Sequence, residues 1–277
     1  MKKRQRRSAR SRAGAKLRKV DGALAQREFA GYALADDAVE RALSTGEYRG
    51  ALEEYFGEEN YQELRDLARQ ASARSVRGGP RVFILPGIMG SKLGRKRLLL
   101  DDVIWIDPIG ILAGELNELA LDQGKDDVVP LGVLLFAYLM IKLSLRAAGF
   151  DADFHPYDWR RDLPSLGAKF AKRINDEQKP VHLVAHSMGG LVARAALKAG
   201  AAEVERLIML GTPNYGSFAI PQALRGTYDV VKKVAAFDLA HGPEELVSDV
   251  FSTFPALYQM MPWKEKFSAV NLCDEAT

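Results

Sequence analysis

At residues 181–190, Val-His-Leu-Val-Ala-His-Ser-Met-Gly-Gly, one serine separates an apolar, β-branched run from a helix-forming run. Val181, Leu183 and Val184 suit a buried strand, and the residues from Leu191 onward suit a helix ended by Gly200. A strand that turns straight into a helix brings the two elements close together. The residues two before and two after the serine must therefore be small, and here they are Ala185 and Gly189. The pattern usually has glycine at the first of these positions, but the single methyl of Ala185 still fits. Two readings follow: Ser187 is a nucleophile presented on a sharp elbow, or it is a serine capping a helix N-terminus in some other α/β fold.

Residues 81–85, Arg-Val-Phe-Ile-Leu, read as a short apolar strand, and a glycine-containing loop, Pro86-Gly-Ile-Met-Gly-Ser-Lys-Leu93, follows it. Acyl transfer builds negative charge on the former carbonyl oxygen, and two backbone N–H groups are needed to hold it. In an α/β-hydrolase one comes from the residue after the nucleophile and one from a loop placed as this one is. By position these are Met188 and Ile88. The plainer reading of the loop is an ordinary strand-ending turn.

Four segments taken together resemble the lecithin:cholesterol acyltransferase family of α/β-hydrolases. They are Pro86-Gly-Ile-Met-Gly-Ser-Lys-Leu93, Tyr157-Asp-Trp-Arg160, His186-Ser-Met-Gly-Gly190 and Leu210-Gly-Thr-Pro-Asn-Tyr-Gly-Ser217. A later stretch, Phe251-Ser-Thr-Phe-Pro-Ala-Leu-Tyr-Gln-Met-Met-Pro262, is similar to one the family often carries. The resemblance spans residues 81–262. It implies a serine enzyme acting on acyl esters, commonly lipids, with Ser187 as nucleophile and the Ile88 and Met188 amides as oxyanion donors. It also implies that the helical pattern through Ile111, Leu112, Leu116 and Leu119 belongs to a cap over the acyl site; spacing alone fits a surface helix on the sheet equally well.

A serine hydroxyl needs a histidine base, itself oriented by a carboxylate, and in this fold the chain order is serine, acid, histidine. Of four histidines only His241 lies beyond Ser187; His155, His182 and His186 precede it. His186 flanks the serine, and adjacent side chains point apart, so it reads as structural. Asp229 or Asp238 with His241 is the one ordering available in the chain. The sequence around His241, Ala-His-Gly-Pro, also suits a plain helix terminus. Acid and base normally follow two further strands, and no convincing strand follows residues 207–210. The expectation is an α/β-hydrolase fold with a mostly parallel sheet and flanking helices, C-terminally incomplete, with acid and base beyond Thr277.

The order strand, helix, strand, helix, strand supports a parallel α/β sheet. Residues 150–159 read as a strand, 165–178 as a crossover helix, 221–239 as one helix and 248–262 as helix and loop of a cap. Residues 267–273 suit a short strand. Residues 21–75 read as a helical segment and 76–80 as a linker, giving three parts: 1–20, 21–80 and 81–277. Asp158 and Arg160 pair, with a structural salt bridge the favoured reading.

The net charge of +3 conceals an asymmetry: the first twenty residues hold ten basic and no acidic residues, leaving 29 basic against 36 acidic in the rest. Such a tail is by default disordered and solvated. It also suits peripheral contact with an anionic membrane, while nothing suggests specific nucleic-acid recognition. No apolar segment follows the basic run, which argues against a secretory signal peptide. One cysteine, Cys273, excludes an intrachain disulfide, and the expected compartment is cytoplasmic. The longest apolar run, 128–141, is too short to span a bilayer and reads as a buried or interfacial helix. No metal-ligand spacing and no cofactor motif is present. Two functions remain open: a serine esterase, lipase or O-acyltransferase acting on an acyl ester or phospholipid, and a non-catalytic relative that binds a lipid or protein partner.

Overall fold

The computed structural model describes residues 35–74, 78–97, 101–121 and 127–269. The basic tail, Cys273 and most of the expected strand at 267–273 lie outside these residues; 267–269 form a turn. Four parallel strands make the main sheet: β1 (Arg81–Leu85), β5 (Asp151–Phe154), β6 (Val181–His186) and β7 (Val204–Leu210), in the order β5-β1-β6-β7. β1 and β6, at the centre, alternate their side chains between two buried faces, as parallel strands covered on both sides do.

Phe83, Leu85, Leu183 and Ala185 face α6 (Leu163–Asp176) and α7 (Met188–Lys198). Val82, Ile84 and Val184 face α5 (Leu135–Ala147) and, beyond it, three N-terminal helices: α1 (Asp36–Thr45), α2 (Arg49–Phe56) and α3 (Glu58–Ala73). The N-terminal helices thus share a core with the sheet. Ion pairs join the layers: Lys142 of α5, 1% exposed, meets Glu40 at 2.7 Å and Asp153 at 3.0 Å, and Lys92 meets Asp36 at 2.7 Å. Burial opposes ionisation of Asp153, but Lys142 and Arg81 beside it overcome this and hold the carboxyl below its ordinary range.

Several boundaries differ from the sequence reading. Residues 91–95 leave the loop as strand β2 (Ser91–Arg95), pairing antiparallel with β3 (Asp102–Trp105) and β4 (Val129–Val133) in a small second sheet. The apolar run 128–141 is therefore not one helix but β4 followed by α5. β4 lies at the edge of its sheet, where Pro130 is tolerated. The strand expected at 150–159 stops at Phe154 because Pro156 lacks an N–H and the Tyr157 N–H turns away to the Ser91 hydroxyl at 3.1 Å. The segment 221–239 is two helices, α8 (Ala219–Leu224) and α9 (Asp229–Phe237), parted by Gly226 at φ 68°. After α9 come α10 (Pro243–Asp249), a 3-10 turn at Phe251–Thr253 and α11 (Pro255–Gln259). The pattern around Leu116 is likewise divided between α4 (Pro108–Leu112) and a 3-10 turn at Glu115–Leu119.

Candidate functional site

β6 runs straight into α7, and Ser187 is the turn between them, with φ 52° and ψ −122°. Left-handed φ on a residue with a Cβ costs about 1–3 kcal/mol and needs surroundings that enforce it. Here the Ser187 N–H donates to the Leu210 carbonyl at 2.8 Å, and the Gly190 N–H donates to the Ser187 carbonyl at 3.1 Å. The Ser187 hydroxyl makes no capping bond to α7. A capping serine has extended backbone and an engaged side chain. Ser187 has neither, so the geometry matches the elbow and not the cap. Gly200, at φ 94°, ends the helix region as expected.

The close approach that the elbow needs is visible in its glycines. A Cβ on Gly189 would lie 2.6 Å from the Pro86 carbonyl oxygen, and one on Gly190 would lie 1.9 Å from the Thr212 hydroxyl. Ala185 is fully buried and accommodated. Gly87 runs equally close to the serine: its Cβ would lie 3.1 Å from Ser187 Cβ and 3.0 Å from His186 Nδ1.

The loop carrying Ile88 is pinned from several sides. The Gly90 N–H donates to the Gly87 carbonyl at 3.0 Å, closing a turn with Met89 at φ 61°. Trp105 Nε1 donates to the Met89 carbonyl at 2.8 Å, and the buried Tyr157 hydroxyl donates to the Pro86 carbonyl at 2.7 Å. The Gly87 N–H donates to the Tyr138 hydroxyl at 2.9 Å. Ile88 and Met188 flank Ser187 on the loop and helix sides, and the Met188 N–H opens α7, where no residue one turn back can accept from it.

The other recurring segments support this arrangement. Trp159 donates to the Ser91 carbonyl at 3.1 Å and packs edge-on against Trp105 and Phe254. Arg160 is fully buried, paired with Asp158 at 2.8 Å and donating to the Leu119 carbonyl at 2.8 Å, so this pair is structural. Thr212 packs on Gly190, Asn214 accepts from Arg194 at 2.8 Å, and Ser217 donates its N–H to the Met260 carbonyl at 2.9 Å. The segments 210–217 and 251–262 are thus hydrogen-bonded to each other. Tyr138 and Trp105 were not singled out from sequence as loop anchors, since nothing local marks them.

His241 and Asp238 do meet: the carboxylate is 2.9 Å from Nδ1 and also accepts the Ala240 and His241 N–H groups. The pair sits against Gly114, whose Cβ would lie 3.2 Å from His241 Cε1. Asp229, at the start of α9, is exposed and joins neither. Among the described residues no hydrogen bond connects the Ser187 hydroxyl to His241 or to any other histidine. His155 stacks on Phe170 with ring centroids 4.1 Å apart, and burial, with help from Arg173, lowers its pKa to about 4. It is a neutral core histidine. Among the described residues no cluster of three or more His, Cys, Asp or Glu is placed to hold a metal, and no helix is long and apolar enough to cross a membrane.

Residues 144–253 match the family described as "PGAP1-like alpha/beta domain", of the α/β-hydrolase superfamily. The chain has an α/β-hydrolase-like fold. The crystal structure of Bacillus licheniformis lipase BlEst2 in its mature form is 20% identical, covering 66% of this chain and 60% of that one, with a TM-score of 0.35. The crystal structure of the Tle4–Tli4 complex is 16% identical over 67% of this chain and 55% of that one, with a TM-score of 0.46. The chain thus spans less than two thirds of either. No curated protein sequence matches it.

Proposed function

We propose that the protein is a serine-dependent hydrolase or O-acyltransferase of lipid acyl esters. The observation that carries this is Ser187: a strained, left-handed residue with an uncapped hydroxyl, beside the loop that bears Ile88. In the reaction Ser187 Oγ attacks the acyl carbonyl and loses its proton to a base. The tetrahedral oxyanion is held by the Ile88 and Met188 N–H groups, and the ester alcohol leaves with a proton from the base. Water or a second alcohol then attacks the acyl-enzyme, giving hydrolysis or transfer. Lipid esters are favoured by the four segments resembling lecithin:cholesterol acyltransferases.

The base is either His241, oriented by Asp238 through Nδ1 with Nε2 left for the proton, or a group outside the described residues. Among the described residues His241 is hydrogen-bonded to Asp238 and not to Ser187, which supports a second reading, a non-catalytic relative that binds an acylated ligand. Labelling the purified chain with a fluorophosphonate probe separates the two. Labelling that disappears in Ser187→Ala supports the enzyme, and its loss in His241→Gln would assign the base. A folded chain that stays unlabelled overturns the enzyme reading and leaves the binding one.

A further inference from the structure

The side chain next to the nucleophile is itself engaged. His186 follows Val184 on the α5 face of the sheet, opposite to Ala185, and its Nδ1 lies 3.0 Å from the hydroxyl of Tyr138 on α5. That hydroxyl also accepts the Gly87 N–H at 2.9 Å. One phenolic oxygen therefore bridges the loop before Ile88, 51 residues upstream of Tyr138, and the residue before Ser187, 48 residues downstream of it.

The bridge holds the Pro86–Gly87 peptide, the unit just before the one that carries the Ile88 N–H. Gly87 has its N–H held by Tyr138 and its carbonyl held by the Gly90 N–H. The Gly87–Ile88 peptide is planar and trans, so fixing its carbonyl also fixes the opposite direction of the Ile88 N–H. Tyr138 and His186 also line one side of a cavity of about 230 Å³ whose other walls include Ile84, Ile141, Val184 and Leu210. Burial raises the Tyr138 pKa above its ordinary value, against the pull of the Gly87 N–H.

We propose that Tyr138 and His186 are positioning residues that anchor Gly87, and through it the adjoining peptide that carries the Ile88 oxyanion donor, a role that rests on the serine-hydrolase reading of Ser187. Neither touches the reacting atoms. Two readouts test this on the full chain: amide exchange at Gly87, and the rate of fluorophosphonate labelling at Ser187. Tyr138→Phe removes the acceptor for Gly87 and should speed Gly87 exchange about 10-fold or more, and slow labelling about 10-fold. His186→Ala should act in the same direction. The double variant should be no slower than Tyr138→Phe alone, because the two groups form one unit. His186→Asn, whose side-chain amide can accept from or donate to the Tyr138 hydroxyl, should recover most of the labelling rate, which a loss of packing would not permit.

Unchanged Gly87 exchange in Tyr138→Phe, or effects of the two substitutions that multiply, would overturn the role while Ser187 still labels. A wild type that never labels, but whose Gly87 exchange still responds to Tyr138→Phe, overturns the hydrolase reading and the positioning role with it, leaving only the bridge.

Discussion

The elbow and the Asp238–His241 pair are built in opposite ways. Ser187 is fixed by groups from β1, β6, β7, α5 and the loop before β2, with contacts reaching from Gly87 to Leu210. The Asp238–His241 pair is made within four residues: one carboxylate accepts the Ala240 N–H, the His241 N–H and the His241 ring. A strained residue persists only where many distant groups enforce it, whereas a short-range pair draws its hydrogen bonds from its own segment. The first region is therefore held by long-range contacts, and the second by local ones.

The largest expected effect tests the long-range side. Gly189→Ala sets a methyl against the Pro86 and Leu85 carbonyl oxygens at 2.6 and 2.8 Å, where backbone must shift. It should cost about 3 kcal/mol or more, or prevent folding, read by urea unfolding. A loss below about 1 kcal/mol would show that the elbow is looser than described. Next in size is Lys142→Met, which leaves Glu40 and Asp153 without the cation they share; Arg146 still pairs with Glu40 and Arg81 still lies 3.6 Å from Asp153. A loss of about 2–4 kcal/mol is expected, at the low end for a broken buried pair because of those remaining partners.

A smaller effect should appear with pH. The pKa of His155 falls to about 4 in the folded chain, below its unfolded value, so folding favours the neutral ring. The resulting stability is full above about pH 6.5 and is lost as pH falls from there toward 4, by order 1–3 kcal/mol. His155→Phe should flatten that slope in unfolding curves taken between pH 4 and 7. The smallest change should come from the local pair. Asp238→Asn keeps an oxygen for the two backbone N–H groups and should alter stability by about 1 kcal/mol or less, while the His241 ring signals shift in NMR. A loss near that of Gly189→Ala would erase the contrast between the two regions.

The same contrast governs what could be read from sequence. β1, β6, β7 and the elbow were legible because each is a run of local pattern, and the i, i+3 spacing of Asp238 and His241 is equally local. The second sheet was not legible, because Ser91 pairs with Val133 across 42 residues and Gly94 and Pro130 lie within its strands. Tyr138 reads as one more apolar-face residue of α5 until the fold sets it against Gly87 and His186. Asp36, which holds Lys92 and the Val133 N–H, looks like an ordinary helix-start acid. The break at Gly226 was passed over because the helical spacing of Leu224 and Tyr228 bridges it.

Lys142 offers a chemical clock. Its amine is closed off between α1 and β5, paired with Glu40 and Asp153 and with the Phe154 ring 4.5 Å away. Amine-acylating reagents need a free, uncharged nucleophile, so they can reach this lysine only when the N-terminal helices lift from α5. The rate at which residue 142 gains an acyl mark, relative to exposed lysines such as Lys198, therefore counts how often that layer opens.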